Sequence, residues 1–139
     1  MRRTGGNAPC PCGLGRKFKA CCEPVLDGAA AATPESLMRS RYSAYVVGNV
    51  GHLIRTTHAQ GPHHQTDARA WAESLRRYCE AVEFTGLEVH SADSRGDEGR
   101  VAFTARYLHG GAAGQIEEHS RFLKADGRWV YWGVVESGP

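Results

Sequence analysis

The hydrophobic pattern of this chain changes its period near residue 83, and that change constrains the fold more than any other feature. Upstream, apolar residues recur at helical spacing, as Met38, Tyr42 and Tyr45 do. Downstream, apolar and polar residues alternate, as over 101–107. Helices followed by a run of strands joined by short turns are typical of α+β proteins. We therefore expect a curved antiparallel sheet wrapped around the helices.

Cap and turn residues predict where the elements begin and end. The pair Thr33-Pro34 begins a helix that ends near Gly48, and Asn49 caps a short second helix. Thr66 or Asp67 begins a third helix. Its expected apolar stripe consists of Trp71, Leu75, Tyr78 and Val82. Strands are predicted around Leu87 and Val89 and over residues 101–107, 115–124 and 128–135, with turns at 110–114 and 126–127.

Four of the five cysteines lie in one segment, CPCGLGRKFKACC, which runs from Cys10 to Cys22. Four thiolates are a sufficient ligand set for tetrahedral zinc and leave no position open for water, which is the pattern of a structural site. Apart from Phe18, the segment has little to bury. A bound metal would therefore supply its folding energy.

Two alternatives to a four-cysteine site arise from the sequence. A redox pair or disulfide knot is disfavoured, because the chain has no membrane-spanning run and no secretory signal and is therefore expected in the cytoplasm, where thiols stay reduced. The second alternative stays open: Cys22 is not a ligand and another residue completes the site. Adjacent cysteines that bind one ion need an unusual backbone bend.

The strand predicted over 115–124 carries polar residues on an otherwise apolar face. Alternation places Ile116, Glu118, Ser120 and Phe122 together, so Glu118 and Ser120 should point into the domain. A buried carboxylate needs a partner or becomes protonated. The candidate partners are Arg39, Arg41 and His58.

The cysteine segment resembles the SEC-C motif, the zinc knuckle at the C-terminus of the bacterial preprotein translocase ATPase. The usual pattern is CPCGSGKKYKKC followed by His or Cys, and here Leu14 replaces the common Ser. The resemblance implies zinc binding by Cys10, Cys12, Cys21 and Cys22. In the translocase this knuckle contacts a chaperone and the ribosome.

The order of helices and meander is similar to the NTF2-like cone fold. The string MRSRYSAY, with the upstream knuckle and the downstream EEHSRFLKADGRWVYWG, resembles the YchJ family (UPF0225), whose activity is not established. The resemblance implies a knuckle over 1–27 and an NTF2-like domain over 33–137. The family usually has Trp where this chain has Thr57, and often Arg where it has His119.

NTF2-like domains commonly hold a cavity between sheet and helices, and the resemblance implies one here. The pocket is predicted to be lined by Arg41, Tyr42, Tyr45, His58, Trp71, Glu118, Ser120 and Tyr131. The alternative is that Arg41 and Glu118 form a structural ion pair that fixes helix to sheet, with no ligand.

Two functions stay open, and so does the question whether the protein is an enzyme. The preferred one is a non-catalytic adaptor, whose zinc knuckle docks a protein or ribosomal partner through Arg16, Lys17 and Lys19 and whose NTF2-like domain binds a small ligand or forms a homodimer. The alternative is a small NTF2-like enzyme with His58 and Glu118 as general base and acid. A membrane is not an expected partner, because no apolar run is long enough to span a bilayer. Nucleic acid is not expected either, because net charge is only +2 and the basic residues are few.

Overall fold

The computed structural model of the chain describes residues 3–135. Residues 1–2 and 136–139 lie outside that range, and so do the outer ends of the two predicted domains, 1–27 and 33–137. Within residues 3–135, no helix combines the length and the apolar character needed to cross a membrane.

The N-terminal knuckle is a compact loop closed on itself by backbone hydrogen bonds. Cys10 N donates to Arg16 O at 2.9 Å, and Pro9 pairs with Lys17 across the loop. Gly13 and Gly15 turn the chain between the cysteine pairs with φ of 80° and 93°, a conformation that favours glycine. A 3-10 turn, Phe18–Ala20, and a short helix α1, Glu23–Leu26, follow.

Three further helices precede the sheet: α2, Pro34–Val47; α3, Val50–Arg55; and α4, Ala68–Ala81. Their predicted caps are confirmed, because the side chains of Thr33, Asn49 and Asp67 each accept a backbone N–H at 3.0 Å. Gly48 ends α2 in the left-handed region, with φ of 80°. The linker before α2 passes without regular structure over residues 29–32.

The strands form one antiparallel meander in the order β1-β2-β3-β4, and the α+β class is confirmed. They are β1, Val82–Arg95; β2, Glu98–His109; β3, Ala112–Ala125; and β4, Arg128–Val134. The helical stripe was wrongly predicted to include Val82, because α4 ends at Ala81. Val82 and Phe84 are buried while Glu83 and Thr85 are exposed, which is the period of a strand.

Helix α2 is the centre of the molecule, because both hydrophobic clusters contain its residues. One cluster joins its Tyr42, Ala44 and Val46 to Phe18 and Leu26 of the knuckle region. The other joins Leu37 and Met38 to β2, β3 and β4 through Val101, Phe122 and Trp129. The knuckle and the larger domain therefore share apolar packing.

Helix α3 is fixed to α2 by a buried polar contact. His52 Nε2 lies 2.9 Å from Ser40 Oγ, and both side chains are almost fully buried. Burial, together with the charges of Arg41 and Arg55, lowers the pKa of His52 to about 4. Beyond α3 the chain joins β4, since Thr57 pairs with Tyr131 in parallel.

Candidate metal centre and ligand cavity

The four knuckle cysteines converge on one point. Their Sγ atoms all lie within 4.8 Å of one another, and Cys12 Sγ is 3.6 Å from Cys21 Sγ. Tetrahedral zinc with Zn–S bonds of about 2.3 Å requires sulfurs about 3.8 Å apart. Cys10, Cys12 and Cys22 are buried and Cys21 is partly exposed. The donor set and its spacing therefore fit a four-coordinate metal ion.

The chain bends sharply between the two adjacent cysteines. Cys21 has φ of −128° and ψ of −102°, which belongs to neither helix nor strand, and α1 follows directly after Cys22. This is the unusual bend that a pair of adjacent ligands needs. Both sulfurs consequently reach the same cluster, and the structure offers Cys22 as a fourth donor.

Contacts among the cysteines shift the pKa values of three of the thiols in different directions. Hydrogen bonds with Cys12 and Cys22 hold the pKa of Cys10 far below its ordinary value. Burial, reinforced by Cys12, raises the pKa of Cys21 to about 12, and hydrogen bonds with Cys10 and Cys12 raise the pKa of Cys22. The thiolate of Cys10 is thus stabilised, while Cys21 and Cys22 resist ionisation. A cation is what allows four thiolates to coexist.

Two side chains of α2 support the cluster from outside. Arg39 Nη1 donates to Cys12 O at 2.8 Å, and Arg39 Nε donates to Glu35 at the same distance. Ser43 Oγ lies 3.6 Å from Cys10 Sγ and is fully buried. Contacts of this kind orient the ligands of a metal site. The knuckle also exposes Leu14, Arg16, Lys17 and Lys19 at its surface.

A cavity of about 190 Å³ lies between the sheet and helices α2 and α4. Most of its wall is aromatic or aliphatic, and Tyr78 at its edge is 39% exposed. Its lining residues are Met38, Arg41, Tyr42, Tyr45, Tyr78, Phe84, Phe103, Ala105, Ile116, Glu118, Ser120, Phe122 and Tyr131.

Arg41 supplies the positive charge of the cavity and is held by neutral oxygens of the α3 region. Its Nη1 donates to Leu53 O at 3.0 Å, to Thr56 Oγ1 at 2.7 Å and to Thr57 Oγ1 at 3.3 Å. Its Cζ lies 4.6 Å from the centre of the Tyr131 ring. Burial lowers the pKa of Arg41, and Tyr45, Tyr131 and Glu118 oppose that effect.

Glu118 supplies the negative charge. Ser120 Oγ donates to Glu118 Oε2, and the hydroxyl of Tyr131 donates to the same oxygen at 3.0 Å. Burial and the neighbouring carboxylate raise the pKa of Tyr131, so this hydroxyl keeps its proton and remains a donor. Among residues 3–135, no ion pair joins Arg41 to Glu118. Tyr131 lies between them instead, with its ring under the guanidinium and its hydroxyl on the carboxylate.

The knuckle and the larger domain each resemble known proteins. Residues 7–24 match the SEC-C motif, and residues 33–133 match the model described as "YchJ, middle NTF2-like domain". A UPF0225 protein of Deinococcus radiodurans is 42% identical over 132 residues, which span 92% of this chain and 89% of that protein. The chain belongs to the YchJ family.

Two solved structures share its architecture. A SEC-C motif-containing protein of Rhodopseudomonas palustris superposes with a TM-score of 0.78 at 33% identity, covering 94% of this chain and 99% of that one. A second, from Psychrobacter arcticus, superposes with a TM-score of 0.74 at 23% identity, covering 96% and 86%. The latter likeness shows the fold alone. The knuckle followed by an NTF2-like domain is therefore the architecture of this YchJ protein.

Six of the eight predicted pocket residues line the cavity of this YchJ chain: Arg41, Tyr42, Tyr45, Glu118, Ser120 and Tyr131. His58 and Trp71 are not among its lining residues. The ring of His58 packs 5.0 Å from that of Trp132, and its Nδ1 accepts from Gln60 N. Trp71 is buried against His64 instead.

The position of His58 follows from strand alternation. Its backbone N–H donates to Tyr131 O at 2.9 Å, so it lies beside β4. Tyr131 lines the cavity, and its neighbour Trp132 therefore points to the other face of the sheet, where His58 meets it. His58 and Glu118 are consequently not brought together as an acid–base pair.

Several apolar residues of the lining were not predicted from the sequence, chiefly Tyr78, Phe84 and Phe103. Pairing across the sheet carries the signal that would identify Phe103, since it stands opposite Glu118 and shares its face. Thr57, where YchJ proteins usually carry Trp, is buried and donates to Leu53 O at 2.7 Å. It also accepts from Arg41, so this departure changes the support of the cavity's cation.

Proposed function

We propose that this protein is a non-catalytic adaptor: a structural zinc ion holds the knuckle, the basic knuckle surface docks a protein or ribosomal partner, and the cavity binds a small ligand. The observation that carries the proposal is the closed cluster of four sulfurs. Helix α2 contacts this cluster through Arg39 and also lines the cavity. The proposal places the protein in the cytoplasm, where thiols stay reduced and available to metal.

Zinc is proposed as the metal because four thiolates form a soft tetrahedral donor set. Cys10, Cys12, Cys21 and Cys22 would hold the ion, which would neutralise the thiolates and close the loop. Elemental analysis of the purified full chain should find about one zinc per molecule. Cys12→Ser should lose it, whereas the control Cys79→Ser, a buried cysteine outside the cluster, should keep it. Metal-free protein with four reactive knuckle thiols would contradict the assignment.

The docking surface is proposed from charge and exposure. Arg16, Lys17 and Lys19 are all exposed at the surface of the knuckle. Such a patch favours an acidic surface and an association that weakens with salt. We expect the protein to co-sediment with purified ribosomes at low salt. The double substitution K17E/K19E should abolish this co-sedimentation. The matched reversal R69E/R77E, on exposed positions of α4, should leave it unchanged.

The cavity favours binding over catalysis. Within the described chain no histidine or cysteine lines it, and Glu118 is already engaged by Ser120 and Tyr131. The enzyme alternative relied on His58, whose ring lies against Trp132. A small molecule held between the aromatic wall and two polar ends is the occupancy that this lining supports.

A further inference from the structure

The cavity holds one positive and one negative side chain that do not neutralise each other directly. Among residues 3–135, no ion pair includes either Arg41 or Glu118. Arg41 is anchored by uncharged oxygens, and Glu118 is anchored by two hydroxyls. The charges of Arg41 and Glu118 therefore sum to zero over the lining. Each side chain nevertheless remains a strong local charge, and we call the two the positive pole and the negative pole of the cavity.

Both poles retain hydrogen-bonding capacity. A guanidinium carries five N–H donors. The contacts of Arg41 with Leu53, Thr56 and Thr57 all use Nη1, which supplies at most two, and the hydroxyl of Tyr45 accepts one more. Both side-chain donors to Glu118 reach Oε2. Its Oε1 can accept a further donor. The cavity thus offers a donor at one pole and an acceptor at the other.

The volume of the cavity and its apolar wall limit the size and the shape of the ligand. An apolar cavity of about 150 Å³ is large enough to hold benzene. The 190 Å³ here suits one ring with one small polar substituent. The rings of Tyr42, Tyr45 and Phe84 offer flat apolar contact.

We propose that the cavity selects a neutral ligand of single-ring size that carries a hydrogen-bond acceptor and a donor together, as a primary carboxamide does. The carbonyl would face Arg41 and the N–H would face Glu118. A carboxylate would be attracted by Arg41 but repelled by Glu118. An ammonium group would be attracted by Glu118 but repelled by Arg41. A net charge would in addition pay desolvation on entering the apolar wall. This inference rests on the proposed ligand-binding function of the cavity.

Three single-ring probes of similar size but different charge test it: benzamide, benzoate and benzylammonium, titrated into the isotope-labelled full chain at pH 7 and followed by amide chemical shifts. We expect benzamide to bind about tenfold more tightly than either ion. Glu118→Gln keeps acceptors for Ser120 and Tyr131 but removes the negative pole. In this variant benzoate should gain about tenfold over its binding to the wild type. Glu117→Gln is the matched control, because Glu117 is exposed on the other face of β3 and should change nothing.

The outcomes separate the two claims. If no probe binds the wild type, the ligand-binding function itself is overturned. If a charged probe binds more tightly than benzamide, or if Glu118→Gln leaves benzoate binding unchanged, the neutral selectivity is overturned and ligand binding stands. Arg41→Gln gives a second reading where it folds, since removing the positive pole should favour benzylammonium.

Discussion

At the scale of single residues, the buried histidine is the group whose protonation most directly opposes the fold. The pKa of His52 is lowered to about 4 in the folded state by burial and by Arg41 and Arg55, whereas an unfolded histidine titrates near 6.5. The unfolded chain therefore binds more protons between these values. Stability should be full above about pH 6.5 and should fall as the pH drops toward 4.

His52→Gln tests this directly, because Gln keeps a polar group for Ser40 and does not titrate. Between pH 6.5 and 4, wild-type protein should lose up to about 3 kcal/mol more unfolding free energy than the variant. Urea unfolding at a series of pH values measures the difference. His109→Gln, at an exposed position, should follow the wild type. Parallel curves for wild type and His52→Gln would exclude His52 as the source.

The sequence predicts the position of a side chain when the periodicity of its own strand or helix decides it. It does not predict the position when a contact with a distant part of the chain decides it. Alternation along one strand was enough to bring Glu118 and Ser120 to the cavity, because β3 is regular there. His58 lies in a loop whose direction depends on pairing with Tyr131, more than seventy positions farther along the chain. Its neighbour Trp132 could be recognised only once that pairing was known.

At the scale of elements, the start of α2 packs tightly on the sheet, where Gly99 of β2 meets Pro34. A Cβ on Gly99 would collide with Pro34 Cγ and would lie 2.9 Å from Pro34 Cβ. Proline is rigid and begins α2, so relief requires a shift of the helix. Gly99→Ala should therefore lower the unfolding free energy by about 1–3 kcal/mol, measured by urea unfolding.

Gly86 of β1 is the matched control for this packing. Nothing lies within 4 Å of a Cβ built there. Gly86→Ala should leave stability unchanged or raise it by up to about 1 kcal/mol, because alanine restricts the unfolded chain. Equal effects of the two substitutions would mean that the contact with Pro34 does not limit the approach of α2.

The boundary between α4 and β1 could not be predicted from the hydrophobic pattern. Trp71, Leu75, Tyr78 and Val82 fit a helical stripe, yet Val82 and Phe84 also fit the first buried positions of a strand. The two periods coincide at this junction, since α4 passes into β1 without a loop. No glycine or proline marks the change, so the sequence carried no stop signal there.

At the scale of the whole molecule, α2 ties the knuckle to the cavity. Arg39 and Ser43 contact the cysteine cluster, while Arg41, Tyr42 and Tyr45 line the cavity from the same helix. The apolar packing of Phe18 and Leu26 against α2 continues this connection. The knuckle consequently shares the domain's core, so the loss of a metal ion bound there should affect residues beyond the knuckle loop.

Removing the proposed zinc from the full chain with a chelator tests that connection. Amide hydrogen exchange should lose protection over residues 8–27, because the knuckle has little packing of its own. Protection in α2 should fall by about tenfold, the worth of one hydrogen bond to a charged group such as Arg39 with Cys12 O. With zinc bound, Arg39→Met should reproduce the α2 effect, and Arg76→Met, in an exposed pair with Glu73, should not. Unchanged exchange in α2 after chelation would mean that the domain holds this helix without help from the knuckle.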